Sequence, residues 1–215
     1  MDASAKPDNA AWQNVVNFVR SVASSFNIAQ NCVRMAVIRY ATTADATIPL
    51  NQYNDINSLL SGIQSLTVIG GGSNLATALQ ILESRVFASN VVRPGARLVA
   101  GIVTDRLACN TQITSLAADL KNRRRVTIAG IAVTRTGAVD TSCLSGVASP
   151  NMYAAVADYN QLNGYVSRVA QFLCPATQPG PGPGPGPNLQ YWGKHSIRNI
   201  NIRVFCGHSV VIFIR

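Results

Sequence analysis

Arg97–Thr104, RLVAGIVT, carries one charge at its first position and only apolar or small residues from there to its closing threonine. Val126–Val133, VTIAGIAV, repeats the design twenty-odd residues later. A strand with one wet face alternates polar and apolar residues, whereas a run that is apolar throughout is covered on both faces, the condition of strands inside a parallel sheet. Between the two runs, Gln112–Arg123 carries apolar residues at helical spacing, so the unit is strand, crossover helix, strand. This unit implies an α/β architecture.

The flanking segments extend the pattern. Trp12, Val15, Val16, Val19, Val22, Ala23 and Phe26 form the apolar stripe of an amphipathic helix. Val33–Tyr40 (VRMAVIRY) reads as a strand, and Ala46–Leu50 as a second one joined by a turn short enough for an antiparallel hairpin. Helices are expected over Asn54–Leu66 and after Gly70-Gly71-Gly72-Ser73-Asn74, with Leu75, Ala78, Leu79, Leu82 and Val86 inward. A short helical turn at Thr141–Val147, a brief strand at Met152–Val156 and a helix from Tyr159 to Leu173 complete the order. The expected fold is a doubly wound, mostly parallel sheet with helices on both faces and one antiparallel edge strand.

Composition changes abruptly after Cys174. Pro-Gly pairs run from Pro179 to a closing Pro187, with glycine at every second position, so a collagen triple helix, which needs glycine at every third, is excluded. The expected division is a domain over 1–174, a linker over 175–187 and a tail over 188–215. The tail has two β-like stretches, Ile197–Phe205 and Val210–Ile214, and too little apolar material for a core of its own.

The 215 residues carry 18 Lys+Arg against 9 Asp+Glu, a net charge of +9 in a chain only 13% charged. Lys194, Arg198, Arg203 and Arg215 lie in the tail, which has no acid. That is not the dense basic stripe of a nucleic-acid binder. The one local cluster, Lys121 with Arg123, Arg124 and Arg125, reads as a solvated helix end with its cations near the negative pole of the helix dipole. Apolar runs fall far short of the roughly 18 residues of a membrane span. Five cysteines form no CxxC pair, and the two histidines, His195 and His208, both lie in the tail, so disulfides or buried thiols are expected in place of zinc. An odd number leaves at least one cysteine free or paired with another chain; Cys109 and Cys143, outside the strands, are candidates to pair, and Cys32 to be buried and free.

In doubly wound sheets ligands gather at the carboxyl ends of the strands. Asp105 follows Val103-Thr104, Ser73 follows the glycine loop, and Asp2 and Ser4 precede the first helix. Carboxylates and hydroxyls converging from three loops make an oxygen-only site suited to a hard cation such as Mg²⁺.

These residues, with their spacing and the element order, resemble the von Willebrand factor type A (VWA) domain of extracellular matrix proteins, similar to matrilins, the collagen VI A domains and the byssal and shell matrix proteins. The family's metal-ion-dependent adhesion site has the form Asp-x-Ser-x-Ser, then Thr, then Asp. The resemblance places it on Asp2 and Ser4, with Lys6 where the second serine stands, then on Ser73 and Asp105. Arg106 replaces the usual glycine after the last aspartate. Lys6 and Arg106 bring protein-borne charge where the family keeps a cation, so the expected site is a degenerate one, with Mg²⁺ or another divalent cation not assured. The alternative is that Ser4 and Ser73 cap helices and Asp105 pairs with Lys6.

The resemblance also implies an apolar central strand running into Asp2, where this sequence has Met1. Val210–Ile214 either fills that central position, with Cys174 and Cys206 disulfide-bonded, or begins another module or has no structure. The chain is expected to be a piece of a longer secreted protein of the extracellular matrix, without a visible signal peptide. The implied function is that of an adhesion module binding another protein, collagen as the candidate, and not that of an enzyme. A nucleotide-binding α/β enzyme and a structural binder of acidic polysaccharide are the alternatives. Against the enzyme stand the absence of Gly-Lys-Ser/Thr, of GxGxxG after a first strand and of GxSxG, and the lack of any histidine in residues 1–174.

Overall fold

The computed structural model describes residues 8–88, 90–173 and 208–214. In chain order the elements are α1 (Asn9–Ala23), β1 (Arg34–Tyr40), β2 (Ala44–Ile48), α2 (Ile56–Gln64), α3 (Leu75–Ile81), a π-helical turn (Leu82–Val86), β3 (Arg97–Thr104), α4 (Thr111–Asn122), β4 (Thr127–Val133), α5 (Thr141–Val147), β5 (Tyr153–Val156), a 3₁₀ segment (Tyr159–Tyr165), α6 (Val166–Leu173) and β6 (His208–Ile214). The strands form one six-stranded sheet in the order β2-β1-β6-β3-β4-β5. Among the described strands only the β1–β2 edge pair is antiparallel, as expected of that hairpin.

β6 occupies the vacant central place. It runs parallel to β1, from Arg34 opposite Ser209 to Arg39 opposite Ile214, and parallel to β3, from Arg97 opposite His208 to Val103 opposite Ile214. Val210, Val211, Ile212 and Ile214 are all at most 2% exposed. Residues 208–214 therefore belong to this sheet, and of the readings of the tail's second β-like stretch it is the strand that stands. Ile197–Phe205 lies outside the described residues.

Each face of the sheet carries its own apolar core. One is built from α1, α2 and α6 with Val210, Ile212 and Ile214 of β6; the other from α3, α4 and α5 with Val211. The alternation of β6 between the two cores is the period-two geometry of a strand buried on both sides. On the first face Trp12 is 2% exposed and its indole N–H donates to the Leu66 carbonyl at 3.0 Å, so its polar edge is satisfied. On the second, α5 lies so close to β4 that a Cβ on Gly130 would stand 3.0 Å from Leu144 Cγ.

Element ends shift from the sequence reading for local reasons. Helix α1 starts at Asn9 because the Asp8 carboxylate accepts the Ala11 N–H at 2.7 Å, an N-cap. The segment over Tyr159–Leu173 is not one helix. Its first half is a 3₁₀ turn opened by a capping box of Asp158 and Gln161. The first strand of the hairpin partner begins at Ala44, two residues earlier than expected, because Arg39 pairs with Asp45. Among the described residues no helix is long and apolar enough to cross a membrane.

Candidate functional site

The carboxyl ends of β3 and β4 and the turn after β1 form one rim of the sheet, and two of the expected site residues meet there. Asp105 is the first residue after β3 and is 5% exposed; together with Thr104, at 2%, it supplies the buried polar groups of the core. Asp105 is not without a partner. Ser73 comes from the loop before α3, and its hydroxyl donates to the Arg106 carbonyl at 2.5 Å. The Thr104 hydroxyl donates to the same carbonyl at 2.9 Å. One main-chain oxygen thus ties the glycine loop, the end of β3 and the turn at Asp105 together.

The glycine loop is held from its other side by the turn after β1. Gly72 N–H donates to Thr42 Oγ1 at 2.8 Å, and Asn74 N–H to the Ala41 carbonyl at 2.7 Å. Gly71 has φ +117°, and a Cβ there would lie 2.5 Å from Thr42 Oγ1, so both the backbone conformation and the contact require glycine. Ser73 does not cap α3. That role falls to Asn74, whose side chain accepts the Thr77 N–H at 3.2 Å, and the Ser73 hydroxyl is left to the rim.

The loop after β4 closes the other flank. Thr136 donates its hydroxyl to the Asp105 carbonyl at 3.0 Å, Leu107 and Val139 form a parallel bridge, and Asp140 N–H donates to the Leu107 carbonyl at 2.8 Å. A disulfide between Cys109 and Cys143 fastens the loop that carries Asp105 and Arg106 to α5. Asp140 caps α5, and the Ser142 hydroxyl, then the Cys143 N–H, hold its carboxyl below the ordinary value. Arg135 pairs with Asp8 at 3.2 Å and Asp158 at 3.6 Å, which brings the start of α1 to this flank.

Arg106 is half-buried, and its Nε is shielded from water with no hydrogen-bond partner. Asp2, Ser4 and Lys6 lie outside the described residues, as do Cys174 and Cys206. Among the described residues there is no cluster of three His, Cys, Asp or Glu. What the rim does offer is a buried carboxylate-bearing residue and a hydroxyl with its proton already committed to a carbonyl, leaving oxygen lone pairs; this chemistry fits a hard cation.

Three expectations change. Cys32 is disulfide-bonded and 3% exposed, so it is not a free thiol; a small buried cysteine beside a strand has the same sequence signature in either state. The basic cluster is only in part a solvated helix end: Arg123, paired with Asp119 at 2.8 Å, and Arg125 are exposed at the end of α4, whereas Lys121 Nζ donates to the Gly146 and Ala148 carbonyls, burial lowers its pKa, and Arg124 donates to the Phe87 carbonyl. Thr42, Thr104 and Thr136 were missing from the expected site. Each is a hydroxyl at or just past the end of a strand, which is the signal that points to them.

A doubly wound sheet whose separate loops bring a carboxylate and hydroxyls together beyond the strand ends has the α/β architecture in which ligands gather at that edge. Its family is shown by comparison: the von Willebrand factor type A domain model matches residues 1–168, and the chain belongs to that family. Von Willebrand factor A domain-containing protein 2 of Xenopus laevis is 23% identical over 176 residues, covering 81% of this chain and 22% of its own length. The collagen alpha-1(XXI) chain of Xenopus laevis is 28% identical over 102 residues, covering 47% of this chain and 10% of its own. The chain thus spans a small part of these relatives. A solved structure of proximal thread matrix protein 1 from the mussel byssus, with a zinc-occupied adhesion-site motif, matches at TM-score 0.71 and 19% identity over 78% of this chain and 44% of that one. The likeness shows the fold.

Proposed function

We propose that this chain is a secreted module of the extracellular matrix that binds another matrix protein, with collagen the leading candidate, through the rim around Ser73, Asp105 and Arg106. The family and its matrix relatives support the class. The observation that carries the site is the Ser73 hydroxyl to Arg106 carbonyl bond, which holds Ser73, Asp105 and Arg106 in one place at the carboxyl end of β3.

The site is a degenerate adhesion site. Asp2, Ser4, Ser73 and Asp105 would hold a divalent cation, and the cation's charge would attract an acidic side chain of the partner. This chain's own residues provide an alternative source of that charge: Arg106, and Lys6 in the first motif, present cations where the family has a hydroxyl and a glycine. An arginine with a half-buried guanidinium pairs with a carboxylate more strongly than a fully exposed one. The Thr104, Thr136 and Ser73 hydrogen bonds keep the loops from moving as a partner docks. The domain reading that accompanies this function is a VWA domain over 1–174, completed by residues 208–214, with 175–187 as linker.

The test is binding of the full chain to immobilised fibrillar collagen in Mg²⁺, in Mn²⁺ and after chelation, with Arg106→Glu in parallel. The proposal expects binding that survives chelation and falls at least about tenfold in Arg106→Glu, the scale of one charge-assisted contact. Binding abolished by the chelator would show a working cation site instead. No binding under any condition would remove collagen as the partner.

A further inference from the structure

We propose that the amino edge of the sheet, opposite the rim, binds a sulfated polysaccharide through Arg34, Arg93, Arg97 and Arg125. Strands β1, β6, β3 and β4 run parallel, so their first residues share one edge. Arg34 opens β1 and Arg97 opens β3. Arg34 lies opposite Ser209, which on its other side lies opposite Leu98. Val99 lies opposite Thr127, and Arg97 and Arg125 each stand two residues before that pair. With neighbouring strands about 4.8 Å apart, Arg34, Arg97 and Arg125 line the edge over about 14 Å. Arg93 reaches across from the turn before β3 and donates to the Gln30 and Cys32 carbonyls in the turn before β1.

These cations are held together without a counter-charge. Arg34 Nε and Arg93 Nη1 donate to the same Gln30 carbonyl, at 3.0 and 3.1 Å, so two guanidinium groups share one neutral acceptor. Arg93 Nε is shielded from water, and burial, then the Arg34 charge, lowers the Arg93 pKa. Arg97 and Arg125 are exposed. Among the described residues none of the four makes an ion pair. Glu83 and Asp119 both pair with Arg123, at 3.9 and 2.8 Å, and leave the four untouched.

The acids gather elsewhere. Asp105 follows β3, Asp45 pairs with Arg39 near the end of β1, and Asp140 N–H bonds the Leu107 carbonyl, all at the carboxyl edge. Arg135, just past β4, holds Asp8 and Asp158 there as well. The sheet thus separates charge along its strands, and β3, eight residues long, sets the two edges about 23 Å apart. A partner at the rim and a polyanion at the amino edge can be held at the same time.

The chemistry selects the ligand. A guanidinium fork matches two oxygens of a tetrahedral oxyanion, and all four cations are arginines. Their spread exceeds one small anion, so the fit is to a polymer with repeated charges. The turns that carry them, residues 30–34, 85–97 and 121–125, hold a single aromatic ring, Phe87, and it is 0% exposed, which leaves no platform on which nucleic-acid bases could stack. The choice of sulfate over phosphate as the repeated group rests on the matrix reading above.

The test measures binding of the full chain to immobilised heparin at physiological ionic strength, beside hyaluronan, which carries carboxylates and no sulfate, and double-stranded DNA. The edge variant is Arg97→Gln with Arg125→Asn; asparagine suits the left-handed backbone at Arg125, φ 54°, so the fold is kept. Lys194→Gln with Arg198→Gln removes the same charge from outside the described residues. The proposal expects heparin to bind more tightly than either other polymer, the edge variant to weaken it at least about tenfold and to lower the slope of log affinity against log salt by about two, and the second variant to change it less than about twofold. Collagen binding should be equal in the edge variant and the parent, so the two proposals fail separately. No heparin binding, equal weakening by both variants, or DNA or hyaluronan bound as tightly as heparin would overturn it.

Discussion

Replacing Cys109 and Cys143 together by alanine removes the staple between the loop after β3 and α5. The two cysteines are 34 residues apart, and the chain-entropy relation for a closed loop of that size, −2.1 − 1.5R ln n, yields about 4 kcal/mol at 25 °C. Cys109 is exposed and Cys143 is 5% exposed, so the alanines add only a small cavity at Cys143. With a urea m-value of about 2 kcal/mol per molar, the unfolding midpoint should fall by about 2 M. Circular dichroism of the oxidised protein and the double variant measures it, and the variant, unlike a reductant, leaves the Cys32 disulfide intact. The variant should also lose affinity for the proposed matrix partner, because the loop it frees carries Asp105 and Arg106. A midpoint within about 0.3 M of the parent would refute the reasoning, since the loops would then be held by the Leu107–Val139 bridge and the Asp140 bond alone.

Three further outcomes are expected. Ile212→Ala, in β6 at 2% exposure, should cost about 2–5 kcal/mol in urea unfolding, whereas Thr43→Ala in the exposed turn after β1 should stay within about 0.5 kcal/mol. Gly71→Ala should cost about 1–3 kcal/mol in thermal unfolding, from the φ of +117° and the clash with Thr42 Oγ1. Asp8, Asp55 and Asp140 have carboxyls held below their ordinary value: Asp8 mainly by the Ala11 N–H, Asp55 by the Ser58 N–H and Asp140 by the Ser142 hydroxyl. A group whose folded pKa is depressed adds stability that is present above its unfolded value and is lost as pH falls through the folded one. The melting temperature should therefore hold down to about pH 5 and drop below about pH 4, and the drop should shrink in the triple asparagine variant, which keeps the caps without the titration.

The sheet was legible where burial leaves a mark on the sequence. RLVAGIVT and VTIAGIAV announce strands covered on both faces, and β3 and β4 lie within a residue of where they were expected. The place of β6 was not decided by its own residues, because a short apolar strand looks the same in any slot; the vacancy between β1 and β3 was inferred from the resemblance, and parallel pairing across more than a hundred residues settles it. Helix starts were displaced where a side-chain cap, such as Asp8 or Asn110, reaches back further than the apolar stripe. Within the rim, Asp105 and Ser73 stood out by their position after strand and loop. The carbonyl of Arg106 that joins them could not, since a main-chain acceptor has no sequence signature, and the state of Cys32 depends on a partner distant in the chain.

Residues 208–214 form the central strand of the sheet that presents this rim, and hydrogen exchange of the full chain, read residue by residue, tests this most directly. The amides of Val210–Ile214 should exchange as slowly as those of Val99–Val103 in β3, through global unfolding alone. Amides in 210–214 that exchange at unprotected rates, while those of β3 stay protected, would contradict it.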